Sequence, residues 1–167
     1  MVKLLINFFI IFIWFQSLNS EEIYGIPKII DGDTVHVKSK KIRLEGIDAP
    51  EMRQTCKKEK LKISSVIGYT FYEDYYCGKA SKENLDGKIN GSKIKCVSYS
   101  KDRYERYLAT CFKDDVNLNQ WMVRNGHAVA YIRYSKEYIP DEDFARKNKL
   151  GLWQGRFLRP EKWRKLN

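Results

Sequence analysis

RLEGIDAPE, residues 43–51, reads as a strand that stops abruptly. Ile42, Leu44 and Ile47 close on Asp48, Pro50 and Glu51, with Arg43 just upstream. Proline lacks the N–H that a sheet ladder needs, so the strand ends there. Arg43 and Asp48 lie an odd number of positions apart, and a regular strand points such residues to opposite faces. For both to serve one site the strand must bend. Gly46, without a side chain, is the predicted bulge or kink.

A second acidic turn lies upstream, Asp31-Gly32-Asp33. If it meets Asp48 and Glu51, three or four carboxylates share one place. At about 4 Å and an effective dielectric near 20, each like pair costs about 4 kcal/mol. Such a cluster needs a cation or protonated members. Its donors are hard oxygens, which favours Ca²⁺, Mg²⁺ or Mn²⁺ over zinc. Ca²⁺ fits best because it accepts backbone carbonyls in loose geometry, and Ala49 offers one. Asp-Gly-Asp is also an ordinary turn composition, so each turn taken alone is a structural feature.

Arginines supply the other half. Arg43 stands on the strand leading to Asp48, and Arg106 begins the strand after Asp102-Arg103-Tyr104-Glu105. Forked guanidiniums bind a phosphodiester bidentately and stay charged as negative charge grows on it. A metal polarises a phosphoryl oxygen, and a carboxylate activates or orients water. Metal, carboxylate and two arginines together describe a phosphodiester hydrolase, although a lone arginine is commonly in a surface salt bridge. The sequence has no G-x-S-x-G elbow and no P-loop. His36, in a strand, and His127, past a helix end, read as structural.

The ends and the composition narrow the class. A formal charge of +10 on 167 residues, with 43% hydrophobic content, describes a folded basic domain suited to a polyanion. Residues 1–20 read as a signal peptide: Lys3, an apolar stretch from Leu4 to Phe15, then Ser20 before Glu21. Leu18 is not ideal for cleavage after Ser20, so an uncleaved anchor is the alternative. Residues 21–167 form the expected single domain. Cys56, Cys77, Cys96 and Cys111 include no C-x-x-C pair, which speaks against a zinc site. Cys96 and Cys111 lie on two strand-like runs flanking a loop and are paired; Cys56 with Cys77 follows by elimination. Free buried thiols are the alternative.

Strands are predicted through Ile23–Leu44, at Lys93–Tyr99 and at Tyr107–Phe112. Residues 57–76 read as an insertion or long loop. Helices are expected over Ala80–Ile89, after Asn117 as N-cap with Gln120 as its partner, and over Asp141–Leu150 behind Pro140. Leu118, Trp121 and Met122 form the buried stripe of the middle helix, and Gly126 ends it. The pattern predicts an α+β fold, a five-stranded OB-fold Greek-key β-barrel with about three packed helices.

DGDT at 31–34, RLEGIDAPE at 43–51, DRYERYLA at 102–109 and ARKNKLGLWQG at 145–155 together resemble the staphylococcal nuclease (thermonuclease) family. The similarity runs through residues 23 to 165 and is closest to exported, cysteine-containing members. It implies an OB-fold and Ca²⁺-dependent cleavage of DNA and RNA. It places Asp33 and Asp48 as calcium carboxylates, Ala49 as the carbonyl ligand, and Glu51 as base or water-positioner. Arg43 and Arg106 take the places of the phosphate-binding arginines. Arg103 and Tyr104 match positions near a nucleotide's terminal phosphate, and Tyr131 is the candidate for base stacking. Glu105 stands where the family has glycine; at positive φ it costs on the order of 1 kcal/mol and puts a carboxylate beside Arg106.

The sequence thus predicts an exported, periplasmic or secreted, metal-dependent nuclease, a monomer acting on DNA, RNA or both with no stable membrane partner. A non-catalytic nucleic-acid-binding module on the same fold is the alternative. A basic membrane-surface protein is a more distant one, since it needs no acidic turns.

Overall fold

The structure, a computed structural model, describes residues 20–62 and 70–167. The expected signal peptide therefore lies, except for Ser20, outside the described residues. None of the described helices is long and apolar enough to cross a membrane.

The barrel is built from β1 (Glu21–Gly25), β2 (Pro27–Ile29), β3 (Thr34–Val37), β4 (Lys40–Leu44), β8 (Ile94–Lys101) and β9 (Tyr107–Lys113). Their order in the sheet is β1-β8-β9-β4-β3-β2. Since β1 and β2 are separated only by Ile26, one run of chain pairs at both edges, and five runs form the curled sheet. The β4–β9 pair is parallel and the other neighbours are antiparallel. Val35, Val37, Ile42, Leu44, Ile94 and Ala109 point inward and are buried, as period-2 alternation demands. The α+β, OB-like fold expected from the sequence is the one observed, with four α-helices among the described residues where about three were expected.

Helix α1 (Cys77–Ile89) closes one side through Leu85 and Ile89. It begins three residues before the predicted Ala80. Helix α2 (Leu118–Arg124) has the expected N-cap, the Asn117 side chain accepting from the Gln120 N–H at 3.0 Å, but the Gln120 side chain donates to Asp141 and does not close the capping box. Its C-cap is Asn125, and Gly126 follows at φ +70°. Leu118 and Met122 are fully buried while Trp121 is half-buried. Helix α3 (Ile139–Lys147) begins two residues before the predicted Asp141, with Pro140 in its first turn, and ends three residues short of Leu150. A 3₁₀ turn (Gly151–Gln154) and β12 (Gly155–Arg156) lead to α4 (Pro160–Leu166), a helix not anticipated in the sequence.

Two small sheets complete the fold. β5 (Ile47–Asp48) pairs with β11 (Val129–Ala130), and β10 (Val116–Asn117) extends β9. The predicted long loop over 57–76 is instead mostly hairpin: β6 (Thr55–Lys62) against β7 (Thr70–Tyr76), with β12 as a third strand. Cross-strand pairs Lys57–Asp74 and Lys58–Glu73 hold it. Its base is tied by Cys56–Cys77, and Cys96–Cys111 joins β8 to β9 at directly opposed positions. Both disulfides are those predicted, and no described cysteine is free.

Candidate active site

The first acidic turn is held by its own backbone. The N–H groups of Ile30 and Asp31 donate to the Thr34 carbonyl, and the Asp33 N–H donates to Asp31 Oδ1 at 3.0 Å. Gly32 presses the turn against its neighbours: a Cβ there would lie 2.0 Å from Ser81 Oγ on α1 and 2.7 Å from the Ala49 Cβ. The turn therefore needs glycine and is seated against the second acidic turn. Burial raises the pKa of the Asp31 carboxyl, opposed by the charge of Arg43, the bonds from Thr34 and the charge of Arg106.

The second turn follows the predicted break. Gly46 has φ +76°, and a Cβ on it would meet the Tyr138 ring at 2.9 Å. β4 ends at Leu44 and the chain resumes as β5 at Ile47. The kink brings Arg43 and Asp48 to the same side, and Arg43 Nη2 donates to Asp48 Oδ1 at 3.2 Å. The same guanidinium pairs with Asp33 Oδ1 and donates to the Ile47 carbonyl at 3.2 Å. Asp33 Oδ2 accepts from the Ala49 N–H at 2.7 Å, a buried bond that joins the two turns. Both turns thus meet on Arg43. Burial lowers the pKa of Arg43, countered by Asp48, but a guanidinium stays charged in proteins.

Behind this junction sits Asn119, a residue not singled out by the sequence. It is fully buried on α2. Its amide donates to the carbonyls of Glu45 and Ala109 and its oxygen accepts from the Cys111 N–H. It clamps the end of β4 to β9 and so fixes the point from which the Gly46 kink departs.

Arg106 stands on the β8–β9 connection. Its Nε and Nη2 meet Asp102 Oδ2 at 2.8 and 2.7 Å, and its N–H donates to Asp102 Oδ1. The pKa of Asp102 falls below its ordinary value: burial pushes it up, and the bonds from Arg106 and Tyr104 outweigh that. The charge of Arg106 bears on both Asp31 and Arg43. Glu105 has the positive φ expected of a position that favours glycine, +60°. Its carboxylate turns to Lys101 at 3.3 Å, while Arg106 takes Asp102, so the expected crowding of Arg106 by Glu105 is absent. Arg103 bonds the Tyr104 hydroxyl at 2.6 Å, and the guanidiniums of Arg103 and Arg106 lie 4.7 and 5.5 Å from the ring of the exposed Tyr104.

Glu51 is reached from an unpredicted quarter. Arg164, on α4, donates through Nη1 to Glu51 Oε1 at 2.8 Å and to Asp48 Oδ1 at 2.9 Å. Its Nη2 donates to Asp48 Oδ2 at 3.0 Å. The sequence signal for α4 was present: Pro160 at the start, Glu161 in the first turn, Arg164 and Lys165 in the last. Burial opposes the charge of Arg164, and the bonds to Asp48 and Glu51 more than restore it, so its pKa is raised.

The charged groups therefore alternate: Asp33, Arg43, Asp48, Arg164, Glu51. The carboxylates expected to share one place are linked there through guanidiniums, Asp33 and Asp48 by Arg43 and Asp48 and Glu51 by Arg164. Among the described residues no three His, Cys, Asp or Glu side chains form a metal-binding group. Like charges in such burial repel, and a guanidinium between each pair removes the repulsion. The donor set is still one for a hard cation: carboxylate oxygens, no histidine or thiolate, and a positive group already seated on Asp48 and Glu51. Tyr131 lies beside this region, its N–H on the Gly46 carbonyl at 2.9 Å and its ring 4.7 Å from that of Tyr134. His127 packs against Trp121, and burial holds its pKa down at about 4.

A family model described as staphylococcal nuclease homologue matches residues 41–155. That span includes Arg43, Asp48, Ala49, Glu51, Arg103, Tyr104, Arg106 and Tyr131. The chain is 33% identical over 138 residues to the succinoglycan biosynthesis protein ExoI of Rhizobium meliloti, covering 81% of this chain and 66% of that protein. It is 31% identical over 148 residues to an uncharacterized endonuclease of Haemophilus influenzae, covering 84% and 71%. It is 31% identical over 137 residues to the probable staphylococcal-like nuclease CAN1 of Oryza sativa, covering 80% of this chain and 35% of the rice protein. The chain thus spans less than two thirds of the first and third of these relatives.

Proposed function

Since the chain belongs to the staphylococcal nuclease homologue family, we propose that it is an exported, Ca²⁺-dependent nuclease hydrolysing phosphodiester bonds of DNA, RNA or both. The observation that carries this is Arg43 touching both Asp33 and Asp48, with Asp33 bonded to the Ala49 N–H. Two distant acidic turns and a buried guanidinium are thereby one structure.

Asp33 and Asp48, with the Ala49 carbonyl, would hold the Ca²⁺, which polarises a phosphoryl oxygen when bound. Glu51 orients the attacking water and takes its proton as the new P–O bond forms. The opposite P–O bond breaks, and the leaving oxygen acquires a proton from solvent. Arg106 turns from Asp102 to the phosphate, and Arg43 faces it from the barrel. Together they stabilise the charge that grows on the equatorial oxygens. Arg103 and Tyr104 bind an adjacent phosphate and Tyr131 a base. The two disulfides support an oxidising compartment, and the predicted signal peptide supports export, with a monomer as the working form.

The test is incubation of the purified chain with single- and double-stranded DNA and with RNA, in Ca²⁺ or in EDTA. Calcium-dependent degradation, lost in Glu51→Gln and Arg106→Ala, supports the enzyme. Salt-sensitive binding without cleavage supports a binding module, and lipid binding alone a membrane-surface protein.

A further inference from the structure

We propose that Arg164 is a built-in counter-cation that competes with the divalent ion for Asp48, so that the site loads only when the outer end of α4 lets go. This rests on the metal-dependent reading given above and adds to it a residue outside the matched family span.

The fork of Arg164 occupies both oxygens of Asp48, and Arg43 also uses Oδ1. Of about four lone-pair directions on a carboxylate, three are then filled. Asp48 itself is 1% exposed, and of the two guanidiniums that cover it Arg164 is the more open to solvent, its side chain 35% exposed against 12% for Arg43. The same Nη1 holds Glu51 Oε1, the oxygen proposed to take a proton from water. One side chain thus occupies the ion's place and neutralises the base. A guanidinium and a divalent cation on one carboxylate repel each other; of the two guanidiniums on Asp48, Arg164 is on the more exposed side chain and the outer helix end, so it is the one displaced, while Arg43 stays in the barrel.

The scaffold of α4 fits a latch. Its entry is fixed: Arg159 grips Glu142 at 2.9 Å and the Ala130 carbonyl at 3.0 Å, and the Gln54 amide holds the Leu158 carbonyl at 2.8 Å. Pro160 is buried, whereas Lys162 and residues 164–167 are exposed. Past Pro160, the polar ties to the body among the described residues are those of Arg164 and the long Arg133–Glu161 pair at 3.8 Å. The helix pivots at an anchored start, and its free end is closed by one residue.

Calcium titration calorimetry on the full chain tests this, comparing wild type with Arg164→Gln, Arg164→Lys and Asp48→Asn. Arg164→Gln is expected to bind Ca²⁺ at least about tenfold more tightly, a modest factor for removal of charged hydrogen bonds. Arg164→Lys, which keeps the charge and loses the fork, falls between. Nitrogen-15 NMR of the wild type gives a second readout that requires no variant to fold: Ca²⁺ shifts the Arg164 Nε–H signal to that of a solvent-exposed arginine. Binding abolished by Asp48→Asn but unchanged or weakened in Arg164→Gln overturns the latch alone. An Arg164 signal unmoved by saturating Ca²⁺ does the same. Calcium binding by neither wild type nor Arg164→Gln overturns both the latch and the metal role of Asp48.

Discussion

Arg43 and Arg164 grip the same carboxylate from two sides, and the scaffolds behind them differ. Arg43 stands on a central barrel strand, its side chain 12% exposed, between Asp33, Asp48 and the Ile47 carbonyl. Arg164 stands near the end of a seven-residue helix, its side chain 35% exposed. The chemistry is the same: a guanidinium neutralises a buried acid. Where each residue is mounted decides whether the contact is permanent or exchangeable.

The largest effect separates them on stability. Arg43→Ala takes the guanidinium from buried Asp33 and leaves Asp48 with Arg164 alone, and is expected to cost about 3–5 kcal/mol in urea unfolding. Arg164→Ala, at a half-open position, is expected to cost no more than about 1 kcal/mol. Equal costs would break the comparison. Activity sharpens it next. Glu51→Gln and Arg106→Ala are expected to lower single-turnover cleavage at least about 100-fold while leaving the melting temperature nearly unchanged. A large drop in melting temperature would instead place these residues with Arg43 on the structural side.

A smaller effect is readable in pH. The folded-state pKa of Asp31 is raised by burial. A carboxyl raised on folding favours the native state below its unfolded pKa of about 3.9, and that advantage fades as pH rises through the folded value. Asp31→Asn keeps the side-chain oxygen that accepts from the Asp33 N–H and removes the buried charge. It is expected to raise stability at pH 7 and to flatten the decline above pH 4. A loss of stability at pH 7 would show that the Asp31 charge helps to balance Arg43 and Arg106.

The same contrast explains what the sequence reveals. The kink at Gly46, the Asn117 cap and both disulfides follow from local rules about glycine, caps and cysteine pairing, and the positive φ at Glu105 from the resemblance to a family with glycine there. The placing of Arg43 and Asp48 on one side follows from alternation plus a bend, whereas the meeting of the two acidic turns is implied only by the family resemblance. The β6–β7 hairpin escaped because charged residues occupy alternate and adjacent positions of β6, which erases the period-2 signal, and because its partner strand lies beyond residues 63–69. Helix α4 escaped because it buries only Pro160 and has no apolar stripe, though its charge pattern fits a helix. Arg164 meets Asp48 across 116 positions, and no short-range rule links a surface arginine to a distant acid. Asn119 is hidden for a similar reason: a buried amide on a helix becomes legible only once the strand ends it ties are known.

The most direct measurement is single-turnover cleavage of an end-labelled oligonucleotide, with Ca²⁺ and with EDTA, by wild type and by Glu51→Gln, alongside retention of the same oligonucleotide on a filter. Both proteins are expected to retain the strand, and only the wild type with calcium to cut it. A wild type that holds the strand in calcium without cutting it, or a Glu51→Gln protein that cuts as fast, would contradict this.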